Sequence, residues 1–97
     1  MTTFETIRTV SASERGHPYK AVECRDGFSL SVQAHRGGYS TPRSDTGPYT
    51  AFEVMIYTDN RPPEMEAWYS EFDDLYAWVP ARIVEAVIAS HGGEVAE

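Results

Sequence analysis

Between Tyr19 and His35 the chain reads YKAVECRDGFSLSVQAH, two runs of alternating apolar and polar residues joined by Arg25-Asp26-Gly27. This is a β-hairpin signal, and the length of the loop decides which side chains share a face. A two-residue Asp26-Gly27 loop would pair Cys24 with Ser29 and Val22 with Ser31, scattering the apolar residues over both faces. A three-residue loop, with Gly27 in the left-handed conformation, pairs Cys24 with Phe28 and Val22 with Leu30. That register gathers Val22, Cys24, Phe28, Leu30 and Val32 on one face. It is therefore the expected one, with Cys24 in the core.

Such a face needs a cover, and the C-terminal region supplies it. Ile83, Val84, Val87 and Ile88 form a stripe, Pro80 suits a helix start, and Gly92-Gly93 suits its end, which predicts a helix of about eleven residues. His91 falls in its last turn, where a cation meets the negative helix end favourably. YTAFEVMIYT predicts a strand with Phe52, Val54 and Ile56 inward and Ala51, Glu53, Met55 and Tyr57 outward. LYAWV reads as another strand, turned back by Asp73-Asp74. FETIRTVSA reads as a short edge strand, and Ser11-Ala12-Ser13-Glu14 matches a capping box that Gly16 and Pro18 confine to one helical turn. RGGYSTPRSDTGP, residues 36–48, is turn chemistry throughout and predicts a long exposed loop, a common place for binding function. Ninety-seven residues fit a single domain, 1–97. The expected fold class is α+β: an antiparallel sheet of four or five strands with one principal C-terminal helix packed on one face.

The stretch EMEAWYSEFDD, residues 64–74, admits two conformations. Met65, Trp68, Tyr69, Phe72 and Tyr76 fall on a helical stripe, and Pro63 suits a first helical position. Trp, Tyr and Phe nevertheless favour strands, and a strand here would complete a meander with LYAWV without an extra layer. Strand is the preferred reading. The stretch also lies within a charge imbalance: residues 1–61 balance seven acids with seven bases, whereas residues 62–97 hold eight acids against Arg82 alone. The net charge of −7 thus belongs to the last third. Such a field repels nucleic acid and anionic membrane and speeds encounter with a basic partner. The expected partner-binding residues are Glu64, Glu66, Trp68, Tyr69, Glu71, Asp73 and Asp74, with Tyr39 and Arg43 of the long loop as a second cluster.

Other chemistries find little footing. His17, His35 and His91 lie far apart in sequence beside a single cysteine, so there is no zinc spacing, and no metal or cofactor is expected. A buried Cys24 is no nucleophile, no G-x-S-x-G turn surrounds a serine, and Arg36-Gly37-Gly38 is too short for a phosphate loop. The chain is read as non-enzymatic. Its apolar runs are too short to span a bilayer, and MTTFETIRTV lacks the regions of a signal peptide, so a soluble protein that is not secreted is expected. The lone cysteine agrees with a reducing compartment.

The strings TIRTVSASERGHPYKAVEC, DGFSLSVQA, Y-x-x-P-R at Tyr39 to Arg43, and YAWVPARIVEAVIASHGG resemble a group of short tailed-phage and prophage proteins. The resemblance covers most of the chain and is weakest over 59–74. It implies a phage accessory protein acting in the cytoplasm of a bacterial host, and it transfers no catalytic residue. Small acidic phage proteins of this kind include inhibitors of host defence such as anti-CRISPR proteins, some of which imitate nucleic-acid charge. Mimicry by residues 64–74 alone fails on arithmetic: extended, their five charges fall about 7 Å apart, against ~1.7 Å along duplex DNA. The fold would have to bring Glu53, Glu85 and Glu94 beside them. The expected function is therefore inhibition of a host defence complex by binding its basic surface. The alternative is a virion or assembly accessory protein that self-associates, with the acids serving solubility only; the sequence leaves both monomer and homodimer open as the oligomeric state.

Overall fold

Gly27 sits at φ +94°, and the turn around it has the three-residue form. Cys24 N–H donates to the Phe28 carbonyl at 2.8 Å, Gly27 N–H donates to the Cys24 carbonyl, and Asp26 Oδ1 accepts the Phe28 N–H at 2.9 Å. Val22 accordingly faces Leu30 across the strands β1 (Val22–Glu23) and β2 (Ser29–Gln33). This computed structural model describes residues 1–57 and 59–95. Thr58, the last residue of the expected YTAFEVMIYT strand, and Glu97, one of the eight C-terminal acids, lie outside the described residues.

From the hairpin the sheet grows by antiparallel pairing through β3 (Ala51–Ile56), β5 (Leu75–Pro80) and β4 (Tyr69–Ser70), in the order β1-β2-β3-β5-β4. Helix α3 (Ala81–Ser90) lays Val84, Val87 and Ile88 on one face of it, into a core with Leu30, Val32, Phe52, Val54 and Val79. The fold is α+β, with five strands and a C-terminal helix. Among the described residues no helix is long and apolar enough to cross a membrane.

The N-terminal segment is not an edge strand. Residues Thr3–Thr9 form helix α1, whose N-cap Thr2 accepts the Glu5 N–H at 3.1 Å. Phe4 and Ile7, three apart, are buried together, and Phe4 meets Phe52 edge-on at 5.2 Å. Seven residues are too few for a helix to persist alone. Burial of two large apolar side chains, worth ~1.5–3 kcal/mol each, holds it in place. Glu94 adds a second anchor, since its carboxylate accepts the N–H groups of Thr3 and Phe4 at 2.5 and 3.1 Å. Ser11 does begin a single turn, α2 (Ala12–Arg15), but its hydroxyl makes no cap bond and accepts the Gly47 N–H instead.

The 64–74 stretch divides between the two readings and corrects the preference for strand. Pro63–Trp68 is a 3₁₀ helix packed against β5 and α3, Tyr69–Ser70 is β4, and residues 71–74 turn back into β5. Met65 is fully buried, whereas Phe72 is 99% exposed at the turn, so the helical stripe stops at Tyr69. Residues 36–48 lack helix and strand apart from a Thr41–Ala51 bridge, but the loop folds back on the sheet and buries Gly38 and Ser40. His91, just past α3, stacks on Phe28 at 3.8 Å and places Nδ1 2.7 Å from Asp26 Oδ2.

Cys24 is 3% exposed, and burial, with Asp26, Glu94 and Glu23 nearby, pushes its thiol up to about 11. At pH 8 the folded protein should therefore react with a thiol reagent about a hundredfold more slowly than the same chain in denaturant, as a timed Ellman assay would read. Equal rates would place the thiol outside the core.

Candidate partner-binding surface

With helices on one face, the other face of the sheet carries Ser31 and Gln33 from β2 and Glu53 and Met55 from β3, which pair across the strands. Strict alternation along β5 would turn Tyr76 and Trp78 to the core and Val79 outward. The observed phase is different. Phe52 pairs with Val79 but Val54 pairs with Tyr76, so one residue of β3, Glu53, is opposed by two of β5, Ala77 and Trp78. This β-bulge turns Val79 into the core, fully buried, and leaves Trp78 46% exposed on the open face.

Trp78 adopts φ +54°, a left-handed conformation costly for a bulky residue, by roughly 1–3 kcal/mol. Its N–H leaves the β3 ladder and donates to the Tyr39 carbonyl at 3.1 Å. The Tyr39 N–H donates to Glu53 Oε1 at 3.3 Å, so the loop is fixed to the bulge from both sides. The Tyr39 and Trp78 rings then lie 4.9 Å apart at 52°, with the Arg43 guanidinium 5.4 Å above the Tyr39 ring. The Tyr39 hydroxyl reaches Asp73 Oδ1 at 3.5 Å, the long end of hydrogen bonding. Asp73 Oδ2 accepts the Ser70 hydroxyl at 2.9 Å.

Of the residues expected from sequence, Tyr39, Arg43 and Asp73 thus meet in one cluster. Trp78, which ties them together, was not among them. Glu71, Asp73 and Asp74 are exposed at the β4–β5 turn beside the fully exposed Phe72. Trp68 and Tyr69 are half-buried and packed against the core, so they support the surface more than they present it. Glu64 is half-buried on the 3₁₀ helix, and Glu66 pairs with Arg61 at 2.8 Å.

Arg61 and Tyr69 help form a cleft of about 300 Å³ that also includes Met55, Asp74 and Tyr76. The Arg61 guanidinium lies 3.7 Å from the Tyr69 ring centre, and the Tyr69 hydroxyl donates to Asp74 Oδ1 at 2.6 Å. That bond, together with burial, raises the phenol's pKa and keeps it protonated. Among the described residues the buried Tyr76 hydroxyl makes no hydrogen bond, and Tyr76, followed by Glu66, raises the pKa of the Arg61 guanidinium.

Glu85 and Glu94 do not join the acidic turn. Glu85 pairs with Arg8 of α1 at 2.6 Å, and Glu94 caps α1. Glu53 alone of the three approaches it, through Tyr39. The charge density that DNA mimicry requires is therefore not assembled at this turn.

Comparison with protein-family models, with curated proteins and with solved structures gave no significant match for this chain.

Proposed function

We propose that the chain is a non-enzymatic binding protein whose open sheet face, centred on Trp78 and Tyr39 and rimmed by Glu53, Glu71, Asp73 and Asp74, docks on a basic protein surface. In the phage setting that the resemblance implies, the partner is a nucleic-acid-handling defence complex in the bacterial host cytoplasm. The observation that carries this reading is the strained Trp78. A left-handed tryptophan with half its surface in water is kept against its conformational cost, and such strain concentrates where a protein meets a ligand. Half-exposed Trp and Tyr are the residue types that anchor interfaces, and flanking carboxylates steer a basic partner at low salt. Arg43, over the Tyr39 ring, stands among four carboxylates, an arrangement unsuited to direct nucleic-acid binding.

Self-association through sheet edges has less support. β4 is two residues long, and the outer side of β1 is taken by the C-terminal segment, with Val95 N–H donating to the Glu23 carbonyl at 2.7 Å. For the test, immobilised protein is exposed to host lysate at low salt, beside a variant carrying Glu71→Lys, Asp73→Lys and Asp74→Lys. The wild type should retain a nucleic-acid-handling complex that is released by about 0.5 M salt, and the variant should retain at most a tenth as much. Equal retention by the variant would remove the acidic turn from the interface.

A further inference from the structure

Three groups that are distant in sequence meet where β2 ends. His17 comes from the turn after α2, His35 from the exit of β2, and Asp45 from the 36–48 loop. The imidazoles of His17 and His35 stack at 4.1 Å with 5° between their planes. One donor atom from each histidine and one carboxylate oxygen of Asp45 all lie within 4.8 Å of one another. The expectation of no metal rested on the spacing of histidines along the chain, and the fold removes that premise. Asp45 is well held, because its Oδ1 accepts the Arg36 N–H at 2.9 Å and its carbonyl accepts the Ser13 N–H at 3.1 Å.

We propose that His17, His35 and Asp45 form a binding site for a divalent first-row transition cation, with Zn²⁺ as the reference ion. Two imidazoles and one carboxylate suit these borderline ions, whereas Ca²⁺ and Mg²⁺ require oxygen donors. Bonds of about 2.1 Å need donor atoms roughly 3.4 Å apart in a tetrahedral site. The donors must therefore close by up to about 1.5 Å, and the rings must unstack, because a metal lies in the plane of each imidazole that binds it. His17 is exposed and supplies that rotation.

His35 makes the site responsive. Its Nδ1 accepts the Gly37 N–H at 3.0 Å, so the neutral ring carries its proton on Nε2. A metal on Nε2 moves that proton to Nδ1, and a metal on Nδ1 displaces Gly37 directly. Either route frees the Gly37 N–H, two residues before Tyr39. The positive Arg15 and Arg36 nearby oppose a cation, and three protein ligands leave one position open to water.

Calorimetric titration of the full chain with zinc chloride at about pH 7.5 tests this. One equivalent should bind, at least tenfold more weakly in His17→Ala and in Asp45→Asn, the latter keeping an oxygen for the Arg36 N–H. His91→Ala, which removes the separate His91–Asp26 pair, should bind as the wild type does. The Gly37 amide should shift in a ¹⁵N–¹H spectrum on zinc addition. No saturable binding, binding unchanged in His17→Ala, or binding lost in His91→Ala would each overturn the site. Circular dichroism confirms that every variant is folded before titration.

Discussion

Replacing Trp78 with alanine should weaken partner binding by thirtyfold or more, while replacing it with glycine should give a protein more stable than the alanine variant by about 1 kcal/mol. The two effects separate what the side chain does from what its backbone costs. Both variants remove the ring that meets Tyr39 at 4.9 Å and stands 46% exposed, so both should fail to hold the partner. Only glycine adopts φ +54° without a clash between Cβ and its own carbonyl, so only glycine releases the strain. Urea denaturation of the two variants reads the stability difference, and affinity capture reads the binding. If alanine and glycine variants were equally stable, Trp78 would not be strained. If the alanine variant still bound its partner fully, the strain would not serve this surface.

Changing Arg15 to alanine should lower stability by about 2–4 kcal/mol and Tm by on the order of 15 °C, with lysine recovering only a small part. The half-buried guanidinium donates to the carbonyls of Val10 at 3.1 Å, Gly16 at 3.0 Å and Ala34 at 2.7 Å, with a weaker contact to Ile7 at 3.4 Å. It also lies over the rings of Tyr49 and Tyr19, at 5.5 and 5.7 Å. One side chain thus joins the end of α1, the α2 turn, the exit of β2 and the tyrosine whose hydroxyl accepts the Ala12 N–H. A lysine ammonium has the charge but not the planar fork, and it reaches one or two of these carbonyls at a time. Thermal melting followed by circular dichroism is the measurement. Full recovery by lysine would mean that charge alone, and not the fork, holds these segments.

The hairpin around Gly27 was legible because packing and turn geometry agreed: only the three-residue loop puts five apolar residues on one face. The C-terminal helix was legible for a similar reason, its stripe being bounded by Pro80 and Gly92-Gly93. α1 was misread because FETIRTV alternates well enough for a strand. The correcting signal was present in Thr2-x-x-Glu5, a capping pattern like the one noticed at Ser11. The 3₁₀ helix and short β4 satisfied parts of two rival patterns, and no local preference could divide residues 64–74 at Trp68.

The candidate surface was half legible. Tyr39, Arg43 and Asp73 stood out as residue types, but their meeting depends on Trp78, and Trp78 depends on a bulge opposite Glu53. One extra residue in a strand shifts the facing of everything beyond it, and LYAWVP carries no glycine to announce such a shift. His17, His35 and Asp45 were hidden by separation along the chain, since only the β2 exit and the returning loop make them neighbours.

The sequence by itself determined the α+β class, the hairpin register, the burial of Cys24, the C-terminal helix and the confinement of net charge to the last third, because each follows from local periodicity, turn chemistry or composition. Tertiary structure alone decided that Trp78 faces outward, that Trp68 and Tyr69 lie half-buried against the core, and that Glu85 and Glu94 serve α1 while Asp73 faces Tyr39. Those outcomes depend on strand phase and on contacts between segments dozens of residues apart, which no local pattern encodes.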